Sequence, residues 1–162
     1  AKGLAWAAEK PCAGCSTLAS MAWNLAGFSG QVCVAMDARR HQIYNARFQV
    51  DGTQPHRLTP DRAIALEDLV AELQGTQSPQ LVVGDGAQLC YDALTAAGIP
   101  AKLAPPNLRL QSAWGVAREG LALAQAGQTC PPDQLVPAYH RLSQAERERL
   151  AREKAAPAPQ NQ

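Results

Sequence analysis

The sequence lacks any long apolar run, and this absence excludes a membrane-spanning helix. No stretch approaches the ~20 consecutive apolar residues that a helix needs to cross a bilayer, and no basic start followed by an apolar stretch marks a secretory signal. We therefore expect a cytoplasmic protein without membrane association. The 162 residues are enough for one sizeable core or two small ones.

The sequence also lacks an excess of charge of either sign. Its formal net charge is +1, which creates no long-range field that would gather nucleic acid. Binding of nucleic acid would need a local basic patch or a basic partner. The charge balance gives no further indication of function.

The number of cysteines is odd, so they cannot all be paired within the chain. The five cysteines are scattered through apolar surroundings, which favours reduced thiols over a disulfide framework. Cys12 and Cys15 form a C-x-x-C motif, but no second pair completes a zinc site. Two interpretations of this motif stay open: inert thiols in a buried strand, or a thiol redox pair.

Spacings typical of other catalytic centres are absent too. His41, His56 and His140 lack the spacing of metal ligands, and no serine or cysteine lies in a nucleophile-elbow pattern. The sequence therefore shows no hydrolytic triad.

Strand and helix patterns alternate along the chain. The continuous apolar run at residues 32–36 predicts a central strand that is covered on both faces. The period-two alternation over residues 44–50 predicts a half-covered strand with Asn45 and Arg47 in water. A short third strand is expected near residues 56–58. Thr59 and Pro60 predict the start of a helix that ends at Gly75.

The second half of the chain continues the alternation. The patterns predict a strand at residues 80–83, a helix near 87–97, a weak strand at 101–104 and a helix near 112–126. Three antiparallel strands followed by helix, strand, helix, strand and helix is the element order of the ribonuclease H-like fold. We therefore predict an α/β protein of the actin-like ATPase superfamily, with a mixed sheet flanked by helices.

The first 30 residues do not belong to this element order. They begin without Met in a helical pattern that lacks an N-cap and stops at Pro11. A small-residue run at 12–17 predicts a short buried strand, and Thr17 predicts the cap of a helix through Leu25. We expect residues 1–30 to be the remnant of an N-terminal lobe whose earlier part is missing. Residues 31–142 would form the C-terminal ribonuclease H-like lobe, and residues 143–162 a charged helix and a disordered tail.

Two predicted strand ends carry candidate site residues. In the ribonuclease H-like fold, active carboxylates or phosphate-binding turns follow the first and fourth strands, where this chain has Asp37 and the turn Gly84, Asp85, Gly86. Asp37 and Asp85 could hold magnesium in a metal-dependent nuclease or phosphotransferase, whose activity Asp37→Asn would abolish. Alternatively, the glycines form a tight turn and Asp85 caps the next helix.

The charged turn "DARRH", residues 37–41, argues against the metal site. It contains no glycine, although a phosphate cradle needs bare main chain. Arg39 and Arg40 favour an ion pair with Asp37 over a divalent cation. They either fold back onto Asp37 or project outward to a carboxylate on a partner. Further acids, Glu67 and Glu72, are expected on the solvated face of their helix.

Four motifs occur along the chain in this order: "AKGLAWAAEKPCAGCSTLASMA", "VAMDARRHQIYNARF", "LVVGDG" and "PAYHRLSQAERE". Together they resemble the TsaB (YeaZ) family of bacterial tRNA-modification proteins, from Ala1 to about Arg149. The resemblance implies an actin-like, two-lobed protein with no catalysis of its own, similar to the catalytic subunit TsaD.

The resemblance also implies partners. TsaB proteins pair with TsaD and, with the ATPase TsaE, help to transfer threonylcarbamoyl to the adenosine beside the anticodon of tRNA. A homodimer is a further expectation. The complex would use ATP and magnesium, this subunit alone would bind neither, and tRNA would be met only through the complex.

The resemblance also implies two sets of site residues. Lys2, Leu4 and Trp6 would be the last turn of a helix at the dimer interface, and Tyr139 and Arg141 would form a docking segment. With Arg39 and Arg40 they make up the predicted partner-binding set. The predicted nucleotide-proximal set is Asp37, Gly84, Asp85 and Gly86.

Overall fold

The apolar run at residues 32–36 lies in the central strand of a mixed sheet. The computed structural model describes residues 1–138. The strands of this part are β1 Ser29–Asp37, β2 Gln42–Asp51, β3 Pro55–Arg57, β4 Arg62–Ala65, β5 Gln80–Val83 and β6 Ala101–Leu103. Its α-helices are α1 Lys2–Ala7, α2 Thr17–Trp23, α3 Leu66–Leu73, α4 Ala87–Ala96 and α5 Ala113–Gln125. Short 3-10 turns lie at Pro106–Leu108 and Pro132–Gln134.

The sheet combines an antiparallel half with a parallel half. Its order is β3-β2-β1-β5-β6, and β4 also pairs with β2. β1 and β2 form an antiparallel hairpin, while β5 joins β1 and β6 joins β5 in parallel. Parallel neighbours need a crossover connection, which α4 provides between β5 and β6. The predicted ribonuclease H-like mixed sheet flanked by helices is confirmed.

The middle of β1, residues 32–35, is apolar and buried because both faces of the sheet are covered there. Successive strand side chains point to opposite faces of a sheet. Val32 and Val34 accordingly belong to one core cluster, with α2, while Cys33 and Ala35 belong to a second cluster, with α3 and α4. The continuous apolar run in the sequence is therefore the result of burial on two sides.

α5 packs closely on α2. A Cβ atom at Gly115 would lie 2.1 Å from the carbonyl oxygen of Ser20, so only glycine permits this helix contact. Ser112 caps α5, its hydroxyl oxygen accepting the backbone N–H of Gly115 at 3.0 Å. α2 in turn contributes Leu18 and Met21 to the core beside β1. The division of the chain at residue 30 stays a prediction.

Two expectations for the segment before α2 were wrong. Residues 12–17 do not form a strand, and the segment makes only an isolated antiparallel bridge between Cys12 and Cys130. The cap of α2 is Ser16 and not Thr17, since the Ser16 hydroxyl accepts the backbone N–H of Ala19 at 3.0 Å. Small residues allow several local structures, and the pattern alone did not separate them.

The helix predicted to begin at Thr59 and Pro60 begins later, after a strand. The Thr59 hydroxyl accepts the backbone N–H of Arg47 in β2 at 2.9 Å, so it is not available as a helix cap. The next residues form β4, antiparallel to the first half of β2. α3 then starts at Leu66, whose N–H donates to the carbonyl oxygen of His41 at 3.1 Å. The first N–H of α3 has no side-chain cap, and the carbonyl oxygen of His41 in the turn accepts its hydrogen bond instead.

Polar side chains between β2, β4 and α3 form a network that the sequence did not predict. Asn45 is fully buried, and its amide oxygen accepts from Arg62 at 3.1 and 3.2 Å. Glu72 binds Arg47 at 2.9 Å and Arg62 at 2.6 Å. The expectations that Asn45 and Arg47 face water and that Glu72 is merely solvated are therefore wrong. Helices on the second face of the sheet account for this burial.

No helix within residues 1–138 is long and apolar enough to cross a membrane.

The network predicts a pH-dependent stability. Burial raises the pKa of Glu72, but hydrogen bonds from Arg47 and Arg62 outweigh it, so the pKa lies below its ordinary value of 4.5. Glu72→Gln should lower the free energy of unfolding by about 1 kcal/mol at pH 7. Because the folded pKa is depressed, this contribution is complete above pH 4.5 and is lost as the pH falls through the folded value.

Urea unfolding of both proteins between acid and neutral pH measures the difference. The control is Glu9→Gln, an exposed glutamate that takes part in none of the ion pairs of residues 1–138, which should change little. A difference for Glu72→Gln that stays constant with pH would contradict the ionic role of this residue.

Candidate functional site

The carboxyl end of β1 meets the turn after β5 at one corner of the sheet. The backbone N–H of Asp37 donates to Oδ1 of Asp85 at 3.3 Å, and the N–H of Gly86 donates to the carbonyl oxygen of Ala35 at 3.0 Å. Four residues named from the sequence, Asp37 and Gly84 to Gly86, are therefore brought together. Asp85 does not cap α4, whose N-cap is Gly86 without a side-chain hydrogen bond, so the cap expectation was wrong.

Both glycines of this turn are needed for contact with β1. A Cβ at Gly84 would lie 2.0 Å from the carbonyl oxygen of Ala35, and φ of Gly84 is 117°. A Cβ at Gly86 would lie 2.8 Å from the backbone nitrogen of Asp37. The absence of side chains here lets two main-chain segments touch. This close packing explains both glycines without a ligand.

The turn between β1 and β2 holds three side-chain-bearing residues in the left-handed region. The φ angles of Arg39, Arg40 and His41 are 62°, 55° and 57°. This conformation costs roughly 1–2 kcal/mol for each residue that carries a Cβ. Oδ1 of Asp37 accepts the backbone N–H of Arg39 at 2.6 Å, which holds the start of the turn in place.

The cationic side chains of the turn are exposed to solvent. Asp37 binds the main chain of Arg39 and makes no ion pair with a guanidinium group, so the predicted fold-back is replaced by a backbone contact. Arg39, Arg40 and His41 are exposed. The ion pairs of residues 1–138 all involve other side chains. The turn thus presents two guanidinium groups to solvent.

The two carboxylates at the corner are engaged with main-chain donors. Oδ1 of Asp37 accepts from Arg39, and Oδ1 of Asp85 accepts from Asp37. Within residues 1–138, no three His, Cys, Asp or Glu side chains are grouped so that they could hold a metal ion. These hydrogen bonds give both carboxylates a structural role at the corner.

The N-terminal residues named for partner binding lie on one exposed helix. Leu4 is 80% exposed and Trp6 is 66% exposed, and α1 has no buried residue. Lys2 donates from Nζ to the carbonyl oxygen of Asp133 at 3.3 Å. α1 is therefore tied to the segment after α5 and offers two apolar side chains to solvent. Tyr139 and Arg141 lie outside the described residues.

A cleft of about 800 Å³ opens beside α1, and no sequence pattern predicted it. Its walls include Lys2, the segment 13–18 and residues 135–138, with Met36 and Tyr44 of the sheet between them. The Ser16 hydroxyl donates to Oδ2 of Asp61 at 2.6 Å across this region. The cleft is formed by segments far apart in sequence, which no local motif could reveal.

Cys12 and Cys15 do not resemble an activated thiol pair. Cys12 is buried, and burial together with the charge of Glu119 raises the pKa of Cys15. The Cys15 sulfur is turned towards α5, 3.7 Å from the carbonyl oxygen of Val116. A raised pKa leaves little reactive thiolate, so this geometry disfavours redox exchange through the C-x-x-C motif.

Comparison with known proteins agrees with the resemblance. A family model described as "TsaD: tRNA N6-adenosine threonylcarbamoyltransferase" matches residues 1–148. The chain is 30% identical over 150 residues to the tRNA threonylcarbamoyladenosine biosynthesis protein TsaB of Bacillus subtilis (strain 168). That alignment covers 90% of this chain and 62% of TsaB.

Two solved structures share the fold. One is a crystal structure of an uncharacterised protein with similarity to the peptidase YeaZ from Pseudomonas aeruginosa, with a TM-score of 0.70 at 20% identity, covering 86% of this chain and 63% of that one. The other is YeaZ from Pseudomonas aeruginosa, with a TM-score of 0.63 at 20% identity, covering 85% and 64%. The chain thus spans less than two thirds of the length of each of these relatives.

The hairpin, the crossover helix and the corner between them define an actin-like ATPase fold. The chain belongs to the family that the tRNA N6-adenosine threonylcarbamoyltransferase model describes, and it is similar to TsaB and YeaZ proteins. The resemblance found in the sequence is confirmed.

The first prediction for the corner concerns the contact of Gly84 with β1. Gly84→Ala should lower the free energy of unfolding by at least about 3 kcal/mol, because its Cβ would overlap the Ala35 carbonyl group in a backbone conformation that disfavours side chains. Urea unfolding measures the loss. Gly27→Ala is the control, since a Cβ there meets nothing within 4 Å. Equal stability of the two variants would contradict the close packing.

The second prediction concerns the left-handed turn. Arg40→Gly should raise the free energy of unfolding by about 0.5 kcal/mol, because relief of the left-handed strain exceeds the entropy that glycine adds to the unfolded chain. Lys102→Gly, at an exposed strand position, should instead lower it by about 0.5–1 kcal/mol. A loss of stability in Arg40→Gly would show that the arginine side chain stabilises the turn.

Proposed function

We propose that the chain is a non-catalytic scaffold subunit in the biosynthesis of threonylcarbamoyladenosine in tRNA. Its curated relative is named a tRNA threonylcarbamoyladenosine biosynthesis protein, and the family model carries the name of the transferase. The proposal assigns the chemistry to a partner. This chain would supply surfaces that hold the partner in place.

The observation that carries the proposal is the filled corner between β1 and the turn after β5. Gly84 and Gly86 pack against the main chain of β1, where larger residues would overlap it. The neighbouring turn consists of side-chain-bearing residues at positive φ, where glycine would be less strained. A nucleotide-binding protein would need bare main chain facing the phosphates. The corner therefore suits a protein that no longer handles nucleotide by itself.

The cationic turn is the surface that we assign to the partner. Arg39 and Arg40 are exposed and make no ion pair within residues 1–138. Guanidinium groups on a turn held by Asp37 can bind carboxylates with two parallel hydrogen bonds. The left-handed backbone is retained at an energetic cost, which is reasonable if the side chains contribute to binding.

The partner in this proposal is a TsaD-like catalytic subunit. A TsaE-like ATPase would join the complex, which would use ATP and magnesium, while this subunit alone would bind neither. tRNA would be contacted only through the complex. Leu4 and Trp6 on α1 offer a second, apolar surface for TsaD or for another copy of this chain. Tyr139 and Arg141 are proposed as a docking segment on sequence grounds.

A metal-dependent nuclease or phosphotransferase is the alternative, because Asp37 and Asp85 do lie side by side. Both carboxylates, however, accept backbone N–H groups, and residues 1–138 offer no third acidic ligand nearby. Removal of those hydrogen bonds would loosen the charged turn. The geometry therefore supports a structural role for both acids better than a catalytic one.

Binding to a TsaD-like subunit tests the proposal. The double variant Arg39→Glu, Arg40→Glu should bind at least about 10-fold more weakly in calorimetric titration, since it places like charges opposite the partner's carboxylates. Lys102→Glu, which reverses an exposed charge on the far edge of the sheet, is the control and should bind as the unaltered chain does.

Two results would count against the proposal. If no complex forms at micromolar concentration with the unaltered chain, the scaffold role is wrong. If both variants weaken binding equally, the charged turn is not the contact surface. Magnesium-dependent hydrolysis of RNA that is lost in Asp37→Asn would favour the alternative.

A further inference from the structure

The five cysteines, odd in number, include two facing pairs and one remaining residue. Cys33 and Cys90 face each other in the core, with 4.0 Å between their sulfur atoms. Cys12 and Cys130 face each other in the isolated antiparallel bridge near the chain ends of the described part. Cys15 remains, with its sulfur turned to α5. Sequence spacing suggested a Cys12–Cys15 pair, whereas the fold pairs Cys12 with Cys130.

The bridge brings Cys12 and Cys130 within reach of a covalent bond. Each backbone N–H donates to the other residue's carbonyl oxygen at 2.8 Å. Residues that exchange both hydrogen bonds in an antiparallel pair have Cα atoms about 5.5 Å apart, and disulfides span Cα distances of about 4.4–6.8 Å. Pro11 and Pro131 flank the bridge, which has no neighbouring ladder bonds. Small backbone shifts are therefore possible here.

Accessibility distinguishes this pair from the core pair. Cys130 is partly exposed, and Cys12 is 9% exposed. Cys33 and Cys90 are both fully buried. The hydrogen bond to Cys33 and burial both raise the pKa of Cys90. A solvent-borne oxidant therefore reaches the bridge pair first.

We propose that Cys12 and Cys130 are a site of reversible oxidation, converted to a disulfide by a hydroperoxide. The Cys130 thiolate attacks the O–O bond, becoming a sulfenic acid while the peroxide leaves as an alcohol or water. The Cys12 thiol then attacks the sulfenic sulfur, the S–S bond forms and water is released. In total, two thiols and one hydroperoxide give one disulfide, one alcohol or water molecule, and one water molecule.

The bond would fix the two walls of the cleft relative to each other. The wall at residues 13–18 begins directly after Cys12, and the wall at residues 135–138 follows Cys130 by a single 3-10 turn. α1 precedes Cys12 and is already tied, through Lys2 and Asp133, to the 3-10 turn that precedes this second wall. Oxidation would thus restrict both the cleft and the exposed helix beside it. Reduction would release them.

Peptide mapping of the oxidised protein tests the proposal. The reduced chain is treated with stoichiometric hydrogen peroxide, alkylated and digested with chymotrypsin. The expected product has lost two hydrogen atoms and contains the fragment with Cys12 and Cys15 joined to the Cys130 fragment. Tandem mass spectrometry of this product should place the bond on Cys12, and a bond on Cys15 would overturn the proposal. Its melting temperature should rise by about 5 °C or more, because the bond closes a long loop. Dithiothreitol should reverse both changes.

Variants of single cysteines identify which residues form the disulfide bond. Cys130→Ser should lose the cross-link and the rise in melting temperature, whereas Cys15→Ser should keep both. If Cys130→Ser does not fold, the fragment map of the unaltered chain decides. A Cys12–Cys15 link, a Cys33–Cys90 link, a link between two chains, or oxidised thiols without any link would each overturn the proposal.

Discussion

The structure depends on one main-chain contact, the packing of the turn after β5 onto the end of β1. Gly84 and Gly86 lie so close to Ala35 and Asp37 that a side chain has no space. This contact fixes where α4 begins and where the hairpin turn leaves the sheet. It also accounts for the glycines that would otherwise indicate a phosphate-binding turn. The same residues that suggest nucleotide chemistry in the sequence thus serve packing in the fold.

The hairpin turn between β1 and β2 is anchored at both ends, but its backbone is strained. Asp37 and the carbonyl oxygen of His41 hold the turn at both ends, through Arg39 and through the first residue of α3. Arg39, Arg40 and His41 adopt a backbone conformation that glycine would adopt more easily. Strain of this kind is commonly found where the side chains have a role. The left-handed conformation of this turn is therefore not explained by stability alone.

The sequence predicted features that depend on local pattern. The apolar run of β1, the alternation in β2 and the periodicity of α3 to α5 all come from burial along a single element, and these elements were predicted in their correct order. Features that depend on contacts between distant residues were missed. β4 forms because Thr59 and Arg62 find partners in β2, and the Cys12 bridge joins segments 118 residues apart. No spacing rule contains that information.

The two outer edges of the sheet have a consequence for assembly. β6 is three residues long and lies between Pro100 and Pro105. The opposite edge consists of two short strands on β2: β3, which is three residues long and begins at Pro55, and the four-residue β4. Proline cannot donate a backbone hydrogen bond, and short edge strands give an incoming strand little to pair with. Fibrillar or strand-swapped aggregation through these margins is therefore discouraged. Within residues 1–138, these edges favour contacts with other proteins through side chains on helices and turns.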